Sequence, residues 1–446
     1  MSVLVQRLGL SSTTSSTKWT FSAWVKRSRN VSSASEFIFS SNNERTSGSN
    51  YSSIFFQNDL LTYYDYYNGG SQVLLRTNRL FRDVNAWYHI VVRYDSTLST
   101  ADDRIRFYVN GTQETSMESR SNVAQNDGSF LNRSGYDNFL GTQTNNLSGH
   151  FLGSMSHVHL ADGQSYAPTV FGETDSTTGE WKINTAPSVT YGTNGFFILK
   201  DGNSVTDQSG NTNNFSVGSG TLTKTEDCPS NVFATFNPLA TFANITLTNG
   251  NNTYTLNAGT WESTPSTLAV PSSGKYYAEF KWNASSTTAQ YMMVGVDAPR
   301  LFTHWGTQYP GNSAVGYAYG WDGDKRNNGS QTSYGDAWSA TSIIGVAIDM
   351  DNKKLYFHKD GVYQNSGVPT SGSTGTGALS LTEDEYYLIV SGYKNTENPS
   401  IHANFGNGYF GTTAVATQGT NASGNGIFEF DVPTGYTALS TKGLNL

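Results

Sequence analysis

Short runs of alternating apolar and polar residues recur along the whole chain, separated by turn residues. The first half contains TFSAWVKRS, AWYHIVVRYD and RIRFYVNG, and the second half contains GKYYAEFKW, SIIGVAIDMD and KLYFHKDGVY. A period of two places successive side chains on opposite faces of a β-strand. The runs are rich in β-branched and aromatic residues, and Asn-Gly or Asp-Gly pairs supply the positive φ angles of tight hairpins. The pattern therefore predicts an all-β protein built from many short strands.

The pattern occurs in both halves of the chain, which indicates two β-sandwich domains. The run IRFYVNG at 105–111 is matched by KLYFHKDGV at 354–362, and each is an alternating run with a tight-turn dipeptide after it. We interpret both as hairpin arms at a sheet edge. The predicted divisions are a first domain over 1–225, a linker with the start of the second domain over 226–269, and a second β-sandwich over 270–446.

An irregular tether is predicted between the two sandwiches. Residues 204–240 contain few large apolar side chains before Phe233 and Phe236. Pro229 and Pro238 interrupt regular strand pairing in the same segment. We expect a tether that packs in part on its neighbours.

Composition excludes several classes of protein. Charged residues make up 14% of the 446 residues and aromatic residues 13%, so the chain has enough aromatic surface to offset the entropy cost of folding. The net charge is −8 and the 27 Lys and Arg residues are scattered, so we expect no nucleic-acid partner. The chain lacks an apolar run of bilayer length and a signal-peptide core, so we expect neither membrane insertion nor export. A lone cysteine, Cys228, excludes an intramolecular disulfide.

Several segments resemble two known families. WTFSAWVKRS, AWYHIVVRYDS, RIRFYVNGTQ and GHFLGSMSHVHLADGQSYAPTVFGE, over residues 18–185, resemble a laminin G-type, concanavalin A-like lectin module. GKYYAEFKW, VGVD, GYAYGWDG and IIGVAIDMDNKKLYFHKDGV, over about 270–410, resemble a SPRY domain, with Asp360 where that pattern usually has Asn. The first resemblance implies a concanavalin-like jelly roll, and the second implies binding through loops at one end of a sandwich.

The joint between the halves and the C-terminus resemble segments of tailed-phage structural proteins, those of marine phages especially. The segments are DQSGNTNNF, DCPSNVFATFNPL and FDVPTGYTALSTKGLNL. The resemblance implies a non-enzymatic virion structural protein displayed on the particle surface, either as a capsid decoration protein or head fibre or as a tail fibre. Such a protein is assembled in the host cytoplasm and released by lysis, which fits an extracellular-type architecture without export signal or disulfide. The implied partners are other virion proteins of the capsid or tail and host-surface glycans, with a homo-oligomer in the virion.

The alternative function is a polysaccharide depolymerase, a glycoside hydrolase on a concanavalin-like fold. Such an enzyme needs two carboxylates that face one cleft, and residues two apart on a strand share a face. Three pairs have this spacing: Glu383 and Glu385, Glu173 and Asp175, and Glu429 and Asp431. Charged runs are usually solvated, so we expect no catalytic residue among them. A host-made adhesin or an intracellular SPRY protein is a third class, which the missing export signal and the laminin G-like half respectively disfavour.

Two metal sites are conceivable. His157 and His159 share a strand face and could begin a zinc site, although polar packing gives the same pattern. Calcium is the better candidate, because the resembled laminin G modules hold it at the sandwich rim through oxygen ligands. Asp95, Asp102 and Asp103 flank the loop before RIRFYVNG and are the candidate calcium ligands, with ordinary Asp-rich turns as the alternative.

A ligand-binding surface is predicted in the second half. RLFTHWGTQYP and GYAYGWDGDKRNNG place aromatic and charged residues on or beside loops, where binding hot spots are frequent. The candidate ligand-binding residues are Trp305, Tyr309, Tyr319, Trp321, Asp322, Asp324 and Arg326. Because Tyr317, Tyr319 and Trp321 share one strand face, packing between the sheets is the alternative.

The segment LTYYDYY raises the same question in the first half. Tyr63 faces opposite to Tyr64 and Tyr66 on the predicted strand. At least one tyrosine must therefore lie away from the local core and face solvent or a neighbouring subunit.

Overall fold

The chain divides into two compact units, Met1–Lys224 and Thr225–Leu446, in the computed structural model. The structure describes residues 3–31, 33–43, 50–67, 70–143, 149–200, 202–283, 290–299 and 308–445. Each unit is described by itself below. No helix among these residues has the length and apolarity to cross a membrane.

The first unit contains sixteen strands in the part of the chain that the structure describes. In chain order they are Leu4–Arg7 (β1), Lys18–Arg27 (β2), Ser35–Asn42 (β3), Asn50–Gln57 (β4), Leu60–Tyr67 (β5), Gly70–Leu80 (β6), Trp87–Asp95 (β7), Ile105–Val109 (β8), Thr112–Glu114 (β9), Met117–Ser121 (β10), Asp137–Leu140 (β11), Gly153–Asp162 (β12), Gly172–Thr174 (β13), Trp181–Ile183 (β14), Phe196–Ile198 (β15) and Ser216–Ser219 (β16). Short 3-10 helices lie at Ala101–Asp103 and Pro168–Val170.

Fourteen of these strands form two antiparallel sheets with one core between them. The eight-stranded sheet has the order β10-β6-β5-β4-β3-β11-β1-β16, and the six-stranded sheet has the order β15-β12-β2-β7-β8-β9. The predicted faces of β2 are confirmed, since Phe21, Ala23 and Val25 lie in the core and Trp24 stacks on His89 on the opposite face. Phe21 meets Phe39 of the facing sheet with ring centroids 5.2 Å apart.

A hairpin of β13 and β14 covers part of the outer face of the six-stranded sheet. The indole Nε1 of Trp181 donates a 2.9 Å hydrogen bond to His89 Nδ1. Ser22 Oγ lies 2.9 Å from His89 Nε2. Burial lowers the pKa of His89 to about 3, so this histidine is a neutral packing residue.

The second unit contains seventeen strands among its described residues. They are Ile245–Thr248 (β17), Thr253–Leu256 (β18), Glu262–Pro265 (β19), Lys275–Trp282 (β20), Gln290–Asp297 (β21), Tyr317–Gly320 (β22), Asp324–Asn327 (β23), Ser330–Ser333 (β24), Ile343–Asp349 (β25), Lys354–Lys359 (β26), Val362–Tyr363 (β27), Leu379–Ser380 (β28), Tyr387–Lys394 (β29), Ser400–Asn404 (β30), Tyr409–Phe410 (β31), Thr413–Ala414 (β32) and Thr437–Ala438 (β33). Short 3-10 helices lie at Pro238–Ala240, Gln364–Ser366, Pro369–Thr374 and Gly443–Asn445.

The second unit is also a sandwich of two sheets. One sheet has the order β17-β18-β30-β20-β25-β26-β27, with β28 beside β26 and β33 beside β20, and the other has the order β19-β29-β21-β22-β23-β24. The core between the two sheets contains Phe236, Phe280 and Phe357. Val294 and Tyr319 of the second sheet belong to the same core. The all-β fold with two sandwich domains is therefore confirmed.

The paired hairpins predicted from the repeated motif are present in both units. Strands β8 and β9 pair Val109 with Thr112, and Asn110 between them has a φ of 47°. Strands β26 and β27 pair Lys359 with Val362, and Asp360 between them has a φ of 49°. Each unit thus uses the left-handed turn that the Asn-Gly or Asp-Gly pair predicted.

Much of the predicted tether is folded into the two units. Strand β16 pairs with β1 in the first unit. In the second unit Phe236 is fully buried against Tyr254, Phe280 and Phe405, and the strands β17 to β19 follow within the predicted linker 226–269. Widely spaced aromatic residues anchor this polar segment, which is why its composition alone suggested irregular structure.

Candidate functional sites

Four aromatic side chains of the second unit gather beside the sheet that contains β29 and β21. Tyr393 of β29 lies directly opposite Tyr291 of β21. Trp261 directly precedes β19, the other neighbour of β29, and Trp321 directly follows β22. Together with Asn395 they line an open pocket of about 340 Å³, called here the aromatic pocket.

The rings of the aromatic pocket contact one another closely. The ring centroids of Tyr291 and Trp321 are 4.5 Å apart, and those of Tyr291 and Tyr393 are 5.7 Å apart. Trp261 stacks on Trp321 at 5.9 Å with an interplanar angle of 29°, and Tyr309 meets Trp261 edge-on at 5.5 Å. All five rings are half-buried, so each exposes part of its surface.

Arg326 fixes the position of Trp321. Its guanidinium carbon lies 5.0 Å from the centroid of the Trp321 ring, and Nη1 and Nη2 bind the two carboxylate oxygens of Asp322 at 2.9 and 2.5 Å. Burial raises the pKa of Asp322, but the Arg326 hydrogen bonds and charge outweigh it, so the pKa lies below its usual value. A Cβ at Gly320 would lie 2.1 Å from Arg326 Nη1, so glycine is required for this close approach.

The structure divides the predicted ligand-binding residues into several groups. Trp321 lines the aromatic pocket, and Tyr309 contacts Trp261 of that pocket. Trp305 lies outside the described residues. Tyr319 is fully buried between the sheets, where its hydroxyl donates to the Asp336 carbonyl, so the packing alternative holds for this residue. Asp322, Asp324 and Arg326 lie beside the pocket, joined by Gln331, which donates to both carboxylates.

Sequence reasoning missed Trp261, Tyr291 and Tyr393. Alternation does place Tyr291 opposite the core residue Met292, so its outward position was predictable. The neighbours of these rings were not predictable, because the three residues come from strands far apart in the chain.

A second open surface lies on the outer face of the eight-stranded sheet of the first unit. It is a groove of about 690 Å³, called here the tyrosine groove, lined by Ala34, Ser35, Phe37, Tyr51, Phe55, Gln57, Tyr64, Leu74, Arg76, Gln143 and Gly149. Phe37 and Phe55 stack at 4.8 Å on adjacent strands. Tyr51 lies 5.9 Å from Tyr64, ring centroid to ring centroid.

The tyrosines of β5 take the opposite faces that alternation predicted. Tyr63 is fully buried in the core, and its hydroxyl donates a 2.8 Å hydrogen bond to Asp65. Tyr64 and Tyr66 are half-buried on the outer face and form a cluster with Tyr51. Burial, and then the neighbouring Tyr64 and Tyr66, raise the pKa of Tyr51 to about 12, so its hydroxyl is a hydrogen-bond donor at neutral pH.

The polar groups of the tyrosine groove are held by one another. Arg76 donates to Gln57 and to Thr62 Oγ1, and its Nη1 lies 3.6 Å from Glu118. None of the described residues that line the groove is Asp or Glu. The groove therefore combines aromatic rings with planar polar groups, and its described lining residues include no carboxylate pair.

The candidate calcium ligands do not come together. Asp95 forms an ion pair with Lys18 at 3.4 Å, and Asp103 forms one with Arg106 at 2.6 Å. Asp102 accepts a 2.6 Å hydrogen bond from Asn122. Across the described ranges, no group of three or more His, Cys, Asp or Glu residues could hold a metal ion.

The two histidines of β12 are packing residues. A β-bulge lies between Ser156 and His159, and His157 Nδ1 lies 2.8 Å from Ser156 Oγ. His159 is buried, with Nδ1 2.9 Å from the hydroxyl of Tyr191, and burial holds its pKa well below the usual value. Of the two alternatives for His157 and His159, the structure supports polar packing and not a zinc site.

The three carboxylate pairs make structural contacts. Lys182 binds both Glu173 and Asp175, at 3.2 and 3.3 Å. Glu429 accepts from the Ala416 backbone, and Asp431 accepts from the backbone and hydroxyl of Thr420. Glu385 is exposed, and Glu383 stands beside the Lys353–Asp384 ion pair at the entrance to β29.

Comparison with known proteins finds similarity in each unit. A family model described as the concanavalin A-like lectin/glucanases superfamily matches residues 6–170, and a SPRY domain model matches residues 275–383. The chain is 31% identical over 112 residues to the ATP-dependent RNA helicase Ddx1 of Drosophila melanogaster. The aligned segment covers 24% of this chain and 13% of that helicase.

Two solved structures match this chain at low identity and with low TM-scores. The SPRY domain of human HERC1 matches at 17% identity and a TM-score of 0.30, over 38% of this chain and 96% of that one. Domains LG4-5 of the mouse laminin alpha1 chain match at 10% identity and a TM-score of 0.27, over 87% of this chain and 78% of that one.

Proposed function

We propose that this chain, in which a laminin G-type concanavalin A-like domain precedes a SPRY domain, is a non-enzymatic surface protein of a tailed-phage particle that binds host-surface glycans. It is displayed as a capsid decoration protein or head fibre, or as a tail fibre, and neighbouring virion proteins are its other partners. The tyrosine groove is the observation that carries the proposal.

The groove has the chemistry of a sugar-binding surface. A sugar ring presents apolar C–H faces and polar hydroxyl edges. The rings of Tyr51 and Tyr64 offer flat apolar surface, and Gln57, Gln143 and Arg76 offer amide and guanidinium groups at its margins. Its size lies in the range of roughly 300–1,000 Å³ that is usual for ligand pockets.

The same groove favours binding over hydrolysis. A glycosidase needs two carboxyl groups on either side of the scissile bond, about 5 to 10 Å apart. The described lining residues include no Asp or Glu. Glu118, which pairs with the lining residue Arg76, is not itself a lining residue. The three carboxylate pairs with suitable spacing have structural partners or lie exposed at a strand entrance.

The virion location is supported by the phage-like segments, which are parts of the folded units. Phe215 of DQSGNTNNF lies in the core of the first unit, and Phe236 of DCPSNVFATFNPL lies in the core of the second. Tyr436 of the C-terminal segment is also buried.

Gold-labelled antibody against the chain, applied to intact purified particles and viewed by electron microscopy, tests the location. Label over the capsid would indicate a decoration protein or head fibre, and label at the tail would indicate a tail fibre. Particles without label would contradict the virion proposal. Release of reducing ends from host polysaccharide by the purified protein would contradict the non-enzymatic part.

A further inference from the structure

We infer that the aromatic pocket of the second unit is a second saccharide site, which takes a neutral sugar ring by stacking it on Trp261 and its neighbours. The inference rests on the proposed function for the class of ligand, because a glycan-binding protein is its premise. Its site is distinct, since the tyrosine groove belongs to the first unit.

Tyr393 and Tyr291 lie on interior strands of the sheet, and Trp261 directly precedes its edge strand β19. Strand β29 pairs with β19 on one side and with β21 on the other, and β21 pairs with β29 and β22. A peptide that binds by adding a strand needs an unpaired backbone edge. Because the backbone groups of β29 and β21 are already paired, Tyr393 and Tyr291 can contact a ligand only through their side chains.

The exposed side chains supply an aromatic surface with one amide. Trp261, Tyr291 and Tyr393 form a row across three adjacent strands, with Trp261 5.6 Å from Tyr393 and Tyr393 5.7 Å from Tyr291. Asn395 is exposed at the margin of the row and can both donate and accept a hydrogen bond. A pyranose ring needs this combination, because its face is apolar and its hydroxyl groups are both donors and acceptors.

The charges next to the pocket point to an uncharged ligand. None of the described lining residues is Asp, Glu, Lys, Arg or His; they are Trp261, Tyr291, Trp321, Tyr393 and Asn395. Arg326, which contacts the Trp321 ring, is bound to both oxygens of Asp322. The described lining residues therefore offer a sulfated or uronic-acid sugar no cation, and they offer a cationic ligand no carboxylate.

Arg326 and Asp322 are therefore positioning residues. The bidentate pair holds the guanidinium over Trp321, and Trp321 in turn contacts Trp261 and Tyr291. A preformed ring cluster loses little conformational freedom when a ligand binds, which favours affinity.

The test measures binding of the full chain to oligosaccharides in a background in which the tyrosine groove is weakened. A Tyr64→Ala protein is screened on an array of neutral, uronate and sulfated glycans together with proline-rich peptides, and the best ligand is titrated by calorimetry. Trp261→Ala is then added, with Trp261→Phe as the conservative variant and the thermal midpoint as the check on folding.

We expect a neutral oligosaccharide to be the best ligand. Trp261→Ala should weaken it at least tenfold, and Trp261→Phe should retain most of the affinity. Arg326→Ala should weaken it less than Trp261→Ala does, because Arg326 acts through Trp321.

Three results would overturn the inference. They are a Tyr64→Ala protein that binds no glycan on the array, binding that Trp261→Ala leaves unchanged, and preference for a charged glycan or a proline-rich peptide. Loss of all glycan binding on Tyr64→Ala alone would leave the tyrosine groove and the proposed function intact while the second site fails. Absence of glycan binding by the unmodified chain would instead contradict the proposed function itself.

Discussion

The hydroxyl of Tyr277 donates a 3.0 Å hydrogen bond to Glu279 Oε1, and both side chains are buried on the face of β20 that the C-terminal segment covers. The same hydroxyl lies 2.6 Å from His358 Nε2. The Gly361 backbone N–H, which can only donate, bonds to His358 Nδ1 at 3.1 Å. The neutral ring therefore carries its proton on Nε2, so the hydrogen bonds run from Gly361 through His358 and Tyr277 to the Glu279 carboxyl group.

This series of hydrogen bonds ends at Glu279, which also binds the backbone of the C-terminal segment. Glu279 also accepts hydrogen bonds from the backbone N–H groups of Glu429 and Phe430, at 2.9 and 2.8 Å. Phe428 and Phe430 cover Tyr277 and His358. One buried carboxyl group thus links a core strand to the segment that covers it.

Glu279→Gln should flatten the pH dependence of stability. Burial raises the pKa of Glu279 to about 7 in spite of its hydrogen bonds, whereas in the unfolded chain this carboxyl group has its ordinary pKa of 4.5. Between these values the folded protein binds more protons than the unfolded one, so the contribution of Glu279 is full below about pH 4.5 and is lost as the pH rises to about 7. The size of this loss is on the order of 3 kcal/mol.

Urea unfolding at pH 5 and at pH 8 measures the effect. The unfolding free energy of the wild-type protein should fall more between these pH values than that of Glu279→Gln. The exposed Glu180→Gln provides the control and should follow the wild type. Equal falls for wild type and Glu279→Gln would refute the assignment.

Tyr63→Phe should destabilise the first unit by about 1–3 kcal/mol, the cost of leaving buried polar groups without a partner. The Tyr63 hydroxyl bonds to Asp65 at 2.8 Å and to Ser129 at 2.9 Å in the core. Tyr64→Phe, one residue along and on the outer face, should change the unfolding free energy by less than about 0.5 kcal/mol. Similar losses in both variants in a urea titration would argue against the two-face arrangement.

Tyr63 and Tyr64 show which structural features could be predicted from the sequence. Alternation with a period of two sorted Tyr63 from Tyr64 and Phe21 from Trp24, because burial of one strand face depends on local spacing. The tight turns at Asn110 and Asp360 were also predictable, because positive φ angles favour few residue types.

The aromatic pocket was only half predictable for a physical reason. Its rings meet because β19, β29 and β21 are neighbours in one sheet, although they lie far apart in the chain. Strand order depends on the packing of the whole domain, so it cannot be predicted from a local sequence pattern. Tyr319 was misplaced among the ligand-binding candidates, because a strand face rich in aromatics can face either the core or a ligand.

Asp360→Asn should be nearly neutral and Asp360→Ala should be destabilising by about 1–2 kcal/mol. Asp360 has a φ of 49°, and its Oδ1 accepts a 2.8 Å hydrogen bond from the Ile343 backbone. Asn tolerates the left-handed region and keeps an acceptor oxygen, whereas Ala has neither property. Thermal midpoints of the two variants check this, and equal midpoints would show that the turn is indifferent to its residue.

Calcium removal should leave the thermal midpoint unchanged. Calcium takes six to eight oxygen ligands. The carboxylates of Asp95 and Asp103 are each within 4 Å of a cationic nitrogen, and Asp102 is bonded to Asn122. Melting curves with calcium chloride and with EDTA should therefore superimpose. A midpoint that rises with calcium and falls again with EDTA would restore the metal site.

Tyr64→Ala should weaken glycan binding by the first unit roughly tenfold, which corresponds to about 1.4 kcal/mol. The Tyr64 ring lines the tyrosine groove beside Tyr51, so its removal takes away stacking surface without opening the core. Tyr67 is the matched control: it is exposed on the same strand, stacks on Phe130 and does not line the groove. Calorimetric titration in a Trp261→Ala background isolates the groove from the second unit. If Tyr67→Ala reduced the affinity as much as Tyr64→Ala, the groove would not be the binding surface.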